Sequence, residues 1–284
     1  MVLPRVLTSV LLVPLVVAVV WFGSIPFFLF VTAVCLLSVW EYLVMAEDGG
    51  YPNQLIMGLI GTALVLVALY FDGIPAGPLR HAPGPSFILL LWVFAVFLRE
   101  FFSRDKGHSF LRIITTMSGI VLFAFFLGHL LLIRDLRLTV GEGVLLAGRQ
   151  VTFFLFIIIW AVDTGAWLVG RLIGRQPLAP RISPKKSWEG SVGGTLIACA
   201  VGWFLRESML RDVMGPLEAV LYALLIAITA QVSDLVESLI KRSLGAKDSS
   251  NLLPGHGGVL DRFDSFVFAA PFYYYVLIGT GRFH

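Results

Sequence analysis

Long apolar runs alternate with short polar breaks along the whole chain, and the runs set the expected architecture. A bilayer core of about 30 Å takes about 20 mostly apolar residues per helix. Nine runs reach that scale, near residues 6–22, 26–45, 55–71, 86–102, 113–133, 151–171, 188–205, 217–238 and 263–280. The pattern predicts an all-α, polytopic integral membrane protein with about nine transmembrane helices. Gly23-Ser24-Ile25-Pro26 separates the first two runs without a small-x-small cleavage site, so the first run reads as a retained span and not as a removed signal.

Composition supports a bilayer environment. Hydrophobic residues make up 58% of the chain and charged residues 14%, with a mean hydropathy of +0.89, whereas soluble domains carry roughly a quarter charged residues. The net charge of +3 is too small on so hydrophobic a chain to suggest a nucleic-acid surface, and no nucleic-acid partner is expected. Cys35 and Cys199 lie in apolar runs with no His or Cys neighbour and read as small buried residues, neither a disulfide nor a zinc site.

Charge placement then orients the chain. An odd number of spans puts the termini on opposite sides, and 14 of the 21 basic residues fall on the N-terminal side. That bias predicts a cytoplasmic N-terminus, with the sixth-to-seventh and eighth-to-ninth loops on the same face. Arg99, Arg104, Lys106 and Arg112 in the fourth-to-fifth loop, beside Phe101, Phe102 and Phe110, read as solvated topogenic charge or as a segment attracted to anionic lipid.

Chemistry concentrates in the second half. Asp234 lies inside the eighth run, and Glu237, Ser238 and Lys241 follow at i+3, i+4 and i+7, along one helix face. A carboxylate within a span costs at least about 2.5 kcal/mol unless it faces a polar cavity or a cation, so a functional role is the default. A structural ion pair with Lys241 is the alternative. The segment that follows carries Lys241, Arg242 and Lys247, then Asp248, then His256-Gly257-Gly258, then Asp261 and Asp264. These are the groups needed to hold phosphates and a magnesium ion. Asp261 and Asp264, at i and i+3 where the ninth run begins, are expected on one helix face. The two glycines would let backbone N–H groups approach phosphate, although a glycine pair after a proline is also an ordinary turn. Upstream, Ser183-Pro184-Lys185-Lys186-Ser187-Trp188-Glu189-Gly190 opens the seventh run with paired lysines, which either meet phosphates or mark a cytoplasmic helix end. Asp163, about 12 Å inside the sixth run by helical rise, is placed behind the site.

The order Ser238, Lys241-Arg242, Lys247-Asp248, Pro254, His256-Gly257-Gly258, Asp261-Arg262 and Asp264 resembles the signature of phosphatidate cytidylyltransferases, also called CDP-diacylglycerol synthases. Asp163-Thr164-Gly165-Ala166-Trp167 and the Lys185-Lys186-Ser187 stretch are similar to the same family. The resemblance covers about the second half of the chain; the first half shares only a hydrophobic, helical character. It implies transfer of a cytidylyl group from CTP to phosphatidate, releasing pyrophosphate, on the cytoplasmic face of the cell (inner) membrane. It further implies magnesium, with a second cation left open, on Asp234 and Asp261. Lys247 and Arg242 would meet pyrophosphate charge. Lys185, Lys186, Ser187, Ser238, Lys241, His256, Gly257, Gly258, Arg262 and Asp264 would contact substrates, and Asp163, Glu237 and Asp248 would stand behind them. A homodimer is implied by the family's habit alone. On this reading residues 1–150 form a structural or dimerising half and residues 151–284 the catalytic half. The alternatives are a CTP-dependent enzyme with another lipid acceptor, such as a CDP-archaeol synthase or a polyprenol kinase, and, from a different class, an anion transporter using Asp163 and Asp234.

Overall fold

A computed structural model describes residues 3–72, 85–140, 143–252 and 257–284. A helix covers each of the nine apolar runs: α1 (Leu3–Phe22), α2 (Ser24–Asp48), α3 (Leu55–Asp72), α4 (Pro85–Phe101), α5 (Ser109–Gly119) continuing into α6 (Leu127–Arg134), α7 (Gly148–Ile173), α8 (Trp188–Met209), α9 (Pro216–Ser243) and α11 (Phe266–Gly279). A separate helical turn, α10 (Leu260–Phe263), precedes the last of them. Among the described residues, four helical stretches are long and apolar enough to cross a membrane by length and composition: Ser24–Asp48, Ser109–Arg134, Gly148–Ile173 and Pro216–Ser243. Their outward faces are apolar, with Leu29, Ile114, Leu172 and Ile228 all exposed. Water would leave such a surface costly, and lipid does not.

Local chemistry explains the breaks. Between α1 and α2, Gly23 and Ser24 both adopt positive φ, 61° and 47°, and Pro26 falls in the first turn of α2, where its missing N–H costs nothing. α5 and α6 are joined by a π-helical stretch, Ile120–Phe126, that keeps the whole segment helical. Two small antiparallel hairpins interrupt the helices: β1 (Leu138–Val140) with β2 (Gly143–Leu145), and β3 (Pro177–Ala179) with β4 (Ser183–Ser187).

The chain forms two compact units. The first comprises the residues up to Leu132 together with Lys241–Phe263. Its core holds Phe27, Leu43, Leu66, Leu69, Ile120 and Phe123, all fully buried, and Cys35 is buried there as well. The basic fourth-to-fifth loop is tied down within this unit. Arg112 donates from Nε to buried Glu100 at 2.8 Å and from NH1 to Asp105 at 2.9 Å, so that arginine is an internal clamp and not solvated charge.

The second unit comprises Ile133–Ile240 and Asp264–His284. Its aromatic core pairs Phe156 with Phe266 and Phe154 with Tyr273, at centroid separations of 4.6 and 6.2 Å. Within it α7 and α8 approach backbone to backbone. A Cβ at Gly190 would lie 2.7 Å from the Ala166 carbonyl oxygen, and one at Gly194 would lie 2.6 Å from that of Val162. Only glycine permits this spacing.

Candidate active site

The sequence-predicted residues fall into two constellations, one in each unit. In the second unit, the β3–β4 hairpin delivers the paired lysines. The hairpin is closed at its base by Glu189, which accepts from the backbone N–H groups of Arg175 and Gln176, and by the Trp188 N–H bonded to the Gln176 carbonyl at 2.9 Å. Ser187 caps α8, accepting the Gly190 N–H at 3.1 Å. This cap aims Lys186 inward, where its ammonium makes a short salt bridge to Asp234 Oδ2 on α9. The two side chains are 30% and 25% exposed. Asp234 Oδ1 is held only loosely, by the Ser238 hydroxyl at 3.4 Å.

This pair borders a cavity of about 500 Å³ that is also lined by Asp163, Arg171, Lys185 and Gln231. Three cations and two carboxylates therefore share one concavity. Gln231 is fixed within it: its carbonyl accepts the Ser191 hydroxyl at 2.5 Å and its amide donates to Thr195 at 2.9 Å. Arg171 and Trp167, with the guanidinium 5.4 Å from the ring centroid, line the cavity too. Sequence reading gave Arg171 no part in the site.

In the first unit, Lys241, Ser249 and Gly258 gather around Asp261. Lys241 donates to Asp261 Oδ1 at 2.6 Å, and both side chains are almost buried, 9% and 7% exposed. Asp261 Oδ2 accepts from the N–H groups of Gly258 (2.8 Å) and Ser249 (3.0 Å). Burial alone would raise the Asp261 pKa, but the Lys241 hydrogen bond and charge, together with these N–H donors, outweigh it and hold the group below the usual carboxylate range. Arg242 donates to the Ala246 carbonyl at 3.0 Å, while Lys247, Asp248 and Arg262 lie exposed.

One expectation is revised here. Asp261 and Asp264 do not share one helix face. The helix breaks after Phe263, leaving Asp261 in α10, while Asp264 precedes α11 and accepts the Ser265 N–H at 2.6 Å. The glycine pair makes room for carboxylates. Gly257 has φ +78°, and a Cβ there would meet Asp261 Oδ2 at 2.6 Å; the Gly258 N–H is already given to Asp261. His256 lies outside the described residues. Glu237 is buried on α9, and Ser233, one turn before it, accepts the Phe268 N–H at 3.1 Å and donates to the Asp264 carbonyl.

Sequence reading missed Glu41 of α2. It is 1% exposed, and its carboxylate accepts from Val259 N–H (2.9 Å), Leu260 N–H (2.8 Å), Ser250 Oγ (2.7 Å) and Ser249 Oγ (2.9 Å). The signal was present: an acidic residue within an apolar run, the same argument that singled out Asp234.

Comparison with known proteins supplies the family. The cytidylyltransferase family pattern matches residues 3–278. The chain belongs to the cytidylyltransferase family. Similar members include phosphatidate cytidylyltransferases of Pseudomonas aeruginosa, 33% identical with 98% of this chain and 97% of that protein covered, and of Bacillus subtilis, 31% identical with 96% of each covered. A Haemophilus influenzae phosphatidate cytidylyltransferase is 31% identical over 95% of this chain and 96% of its own length. The likeness to cytidylyltransferases thus extends through the N-terminal half, where no motif was legible.

Proposed function

We propose that this chain transfers the cytidylyl group of CTP to phosphatidate, forming CDP-diacylglycerol and pyrophosphate. The observation that carries the reading is the cavity where Arg171, Lys185 and Lys186 face Asp163 and Asp234, in a chain similar end to end to phosphatidate cytidylyltransferases. An oxygen of the lipid phosphate attacks the α-phosphorus of CTP. The bond from that phosphorus to the bridging oxygen breaks, and pyrophosphate leaves with the electron pair. The attacking phosphate is already ionised at pH 7, so no general base is needed. Catalysis then rests on position and charge.

In this reading Lys185, Lys186 and Arg171 support phosphate oxygens, and Asp234 sets the position of the Lys186 ammonium. Lys247 and Arg242 balance charge on pyrophosphate, and Ser238, Lys241, His256 and Arg262 complete substrate contact. Magnesium, when bound, would neutralise phosphate charge as it develops. Among the described residues no three His, Cys, Asp or Glu side chains gather as a cage. Magnesium does not require one, since one or two carboxylates plus substrate phosphates and water suffice. Asp234 fits that role, being part-exposed with one oxygen loosely held. Asp261 fits only if Lys241 releases Oδ1. We further propose nine membrane spans, a cytoplasmic N-terminus in the cell inner membrane, and a homodimer.

The test uses purified protein in detergent with phosphatidate and CTP labelled at the α- or the γ-phosphate, with and without magnesium. Lipid carrying the α label is expected. Lipid carrying the γ label would instead mean a lipid kinase, and no transfer of either label would return the anion-transport reading.

A further inference from the structure

Among the described residues between α9 and α10, 244–252 and 257–259, the chain is irregular, yet its backbone donors converge on two carboxylates within the same unit. One of them is Asp261. The other, Glu41, comes from a helix more than 200 residues earlier in sequence, from the half of the chain with no recognisable motif. Its two oxygens divide the work: Oε1 takes the Val259 N–H and the Ser250 hydroxyl, and Oε2 takes the Leu260 N–H and the Ser249 hydroxyl. Both ends of the Ser249–Leu260 segment are thereby fastened to one side chain.

Two details link Glu41 to Asp261. The Ser249 hydroxyl lies 2.9 Å from Glu41 Oε2 and 3.1 Å from Asp261 Oδ2, and its single proton can serve only one of them at a time. Gly258 fits closely against the same group. A Cβ on it would fall 2.4 Å from Glu41 Oε2 and 2.0 Å from Ser249 Oγ. The second glycine of the motif is thus required by the approach of Glu41. A buried carboxylate is costly unless hydrogen-bonded, and three donors of its own with a fourth shared with Asp261 meet that cost here.

We propose that Glu41 is a positioning residue for cytidylyl transfer, holding Ser249, Ser250, Val259 and Leu260 so that Asp261 is presented in its working geometry. The proposal rests on the reading that the Asp261 segment takes part in the reaction. Glu41→Gln places an amide donor against backbone N–H groups and so breaks the arrangement without changing side-chain size. Gly258→Ala disturbs the same contact from the other side and leaves Glu41 intact.

The experiment combines steady-state kinetics with backbone hydrogen exchange on the purified full-length protein, comparing both variants with wild type. For both, kcat is expected to fall about 10- to 100-fold, the cost of a misplacement near 1 Å. Exchange should rise within residues 249–260 while α2 and the rest of the unit keep their protection. Glu41→Asp, too short to reach all four donors, should recover part of kcat. Unchanged exchange at 249–260 in Glu41→Gln would overturn the proposal while leaving the site reading intact. Raised exchange confined to 249–260 with wild-type kcat would overturn it through failure of the site reading. Loss of protection throughout the unit in both variants would overturn it too, making Glu41 a residue that holds the fold.

Discussion

Two lysine–aspartate pairs, each inside its own unit, are built to opposite standards. Lys241–Asp261 is nearly sealed, and Asp261 Oδ2 is held by further donors from the backbone. Lys186–Asp234 is part-exposed at the edge of a cavity, with one carboxylate oxygen gripped weakly. A sealed, over-satisfied ion pair fixes geometry and is costly to break. An open pair exchanges partners at little cost. The first therefore organises its loop, and the second is available to exchange its lysine for a substrate phosphate or a cation.

That contrast can be broken experimentally. The largest expected effect is on turnover in Asp234→Asn, a loss of about 100-fold or more with thermal stability close to wild type; melting in detergent beside the α-label assay separates the two. Asp261→Asn should lose both activity and stability. Next come the lysines, compared as a pair. Lys241→Ala should cost about 3–5 kcal/mol of stability, since it strands a buried carboxylate, whereas Lys186→Ala should cost at most about 1 kcal/mol and act mainly on kcat. Equal destabilisation by the two would erase the distinction.

The smallest effect is in pH. Asp261 has a depressed folded pKa, so its contribution is fully present above the unfolded value of about 3.9 and is lost as pH falls through the lower folded value. The difference in melting temperature between wild type and Asp261→Asn should hold constant from about pH 8 to 5 and close only below about pH 4. A difference that already shrinks near pH 6 would mean the pair is not sealed.

The helices were legible because a run of about 20 apolar residues has few other solutions. The seventh run, 188–205, begins where α8 does, although the Ser187 cap that fixes this start was not read. The hairpin preceding it was not read, because Ser183-Pro184-Lys185-Lys186 has no period-2 apolar pattern; its strands are held by Glu189 and a backbone bond to Gln176. Asp234 was found by asking what a charge does inside an apolar run. Glu41 answers the same question, but its partners lie more than 200 residues away, and no local spacing reveals them. The gap between Asp261 and Asp264 was misjudged for a related reason: i and i+3 share a face only while the helix continues, and here it stops at Phe263.

The contact between α7 and α8 has a consequence for the cavity they border. At Gly190 and Gly194 the separation of the two helices is set by hydrogen atoms against carbonyl oxygens, with only the Ser187 hydroxyl and the Ala166 methyl group beside them. Such a joint has almost no adjustable part. A methyl group at either position would wedge the helices apart and displace Ser187, whose hydroxyl caps the second of them, and with it the neighbouring Lys186. Those two glycines act as a gauge block: the width offered to a ligand is machined into the backbone, beyond the reach of side-chain relaxation.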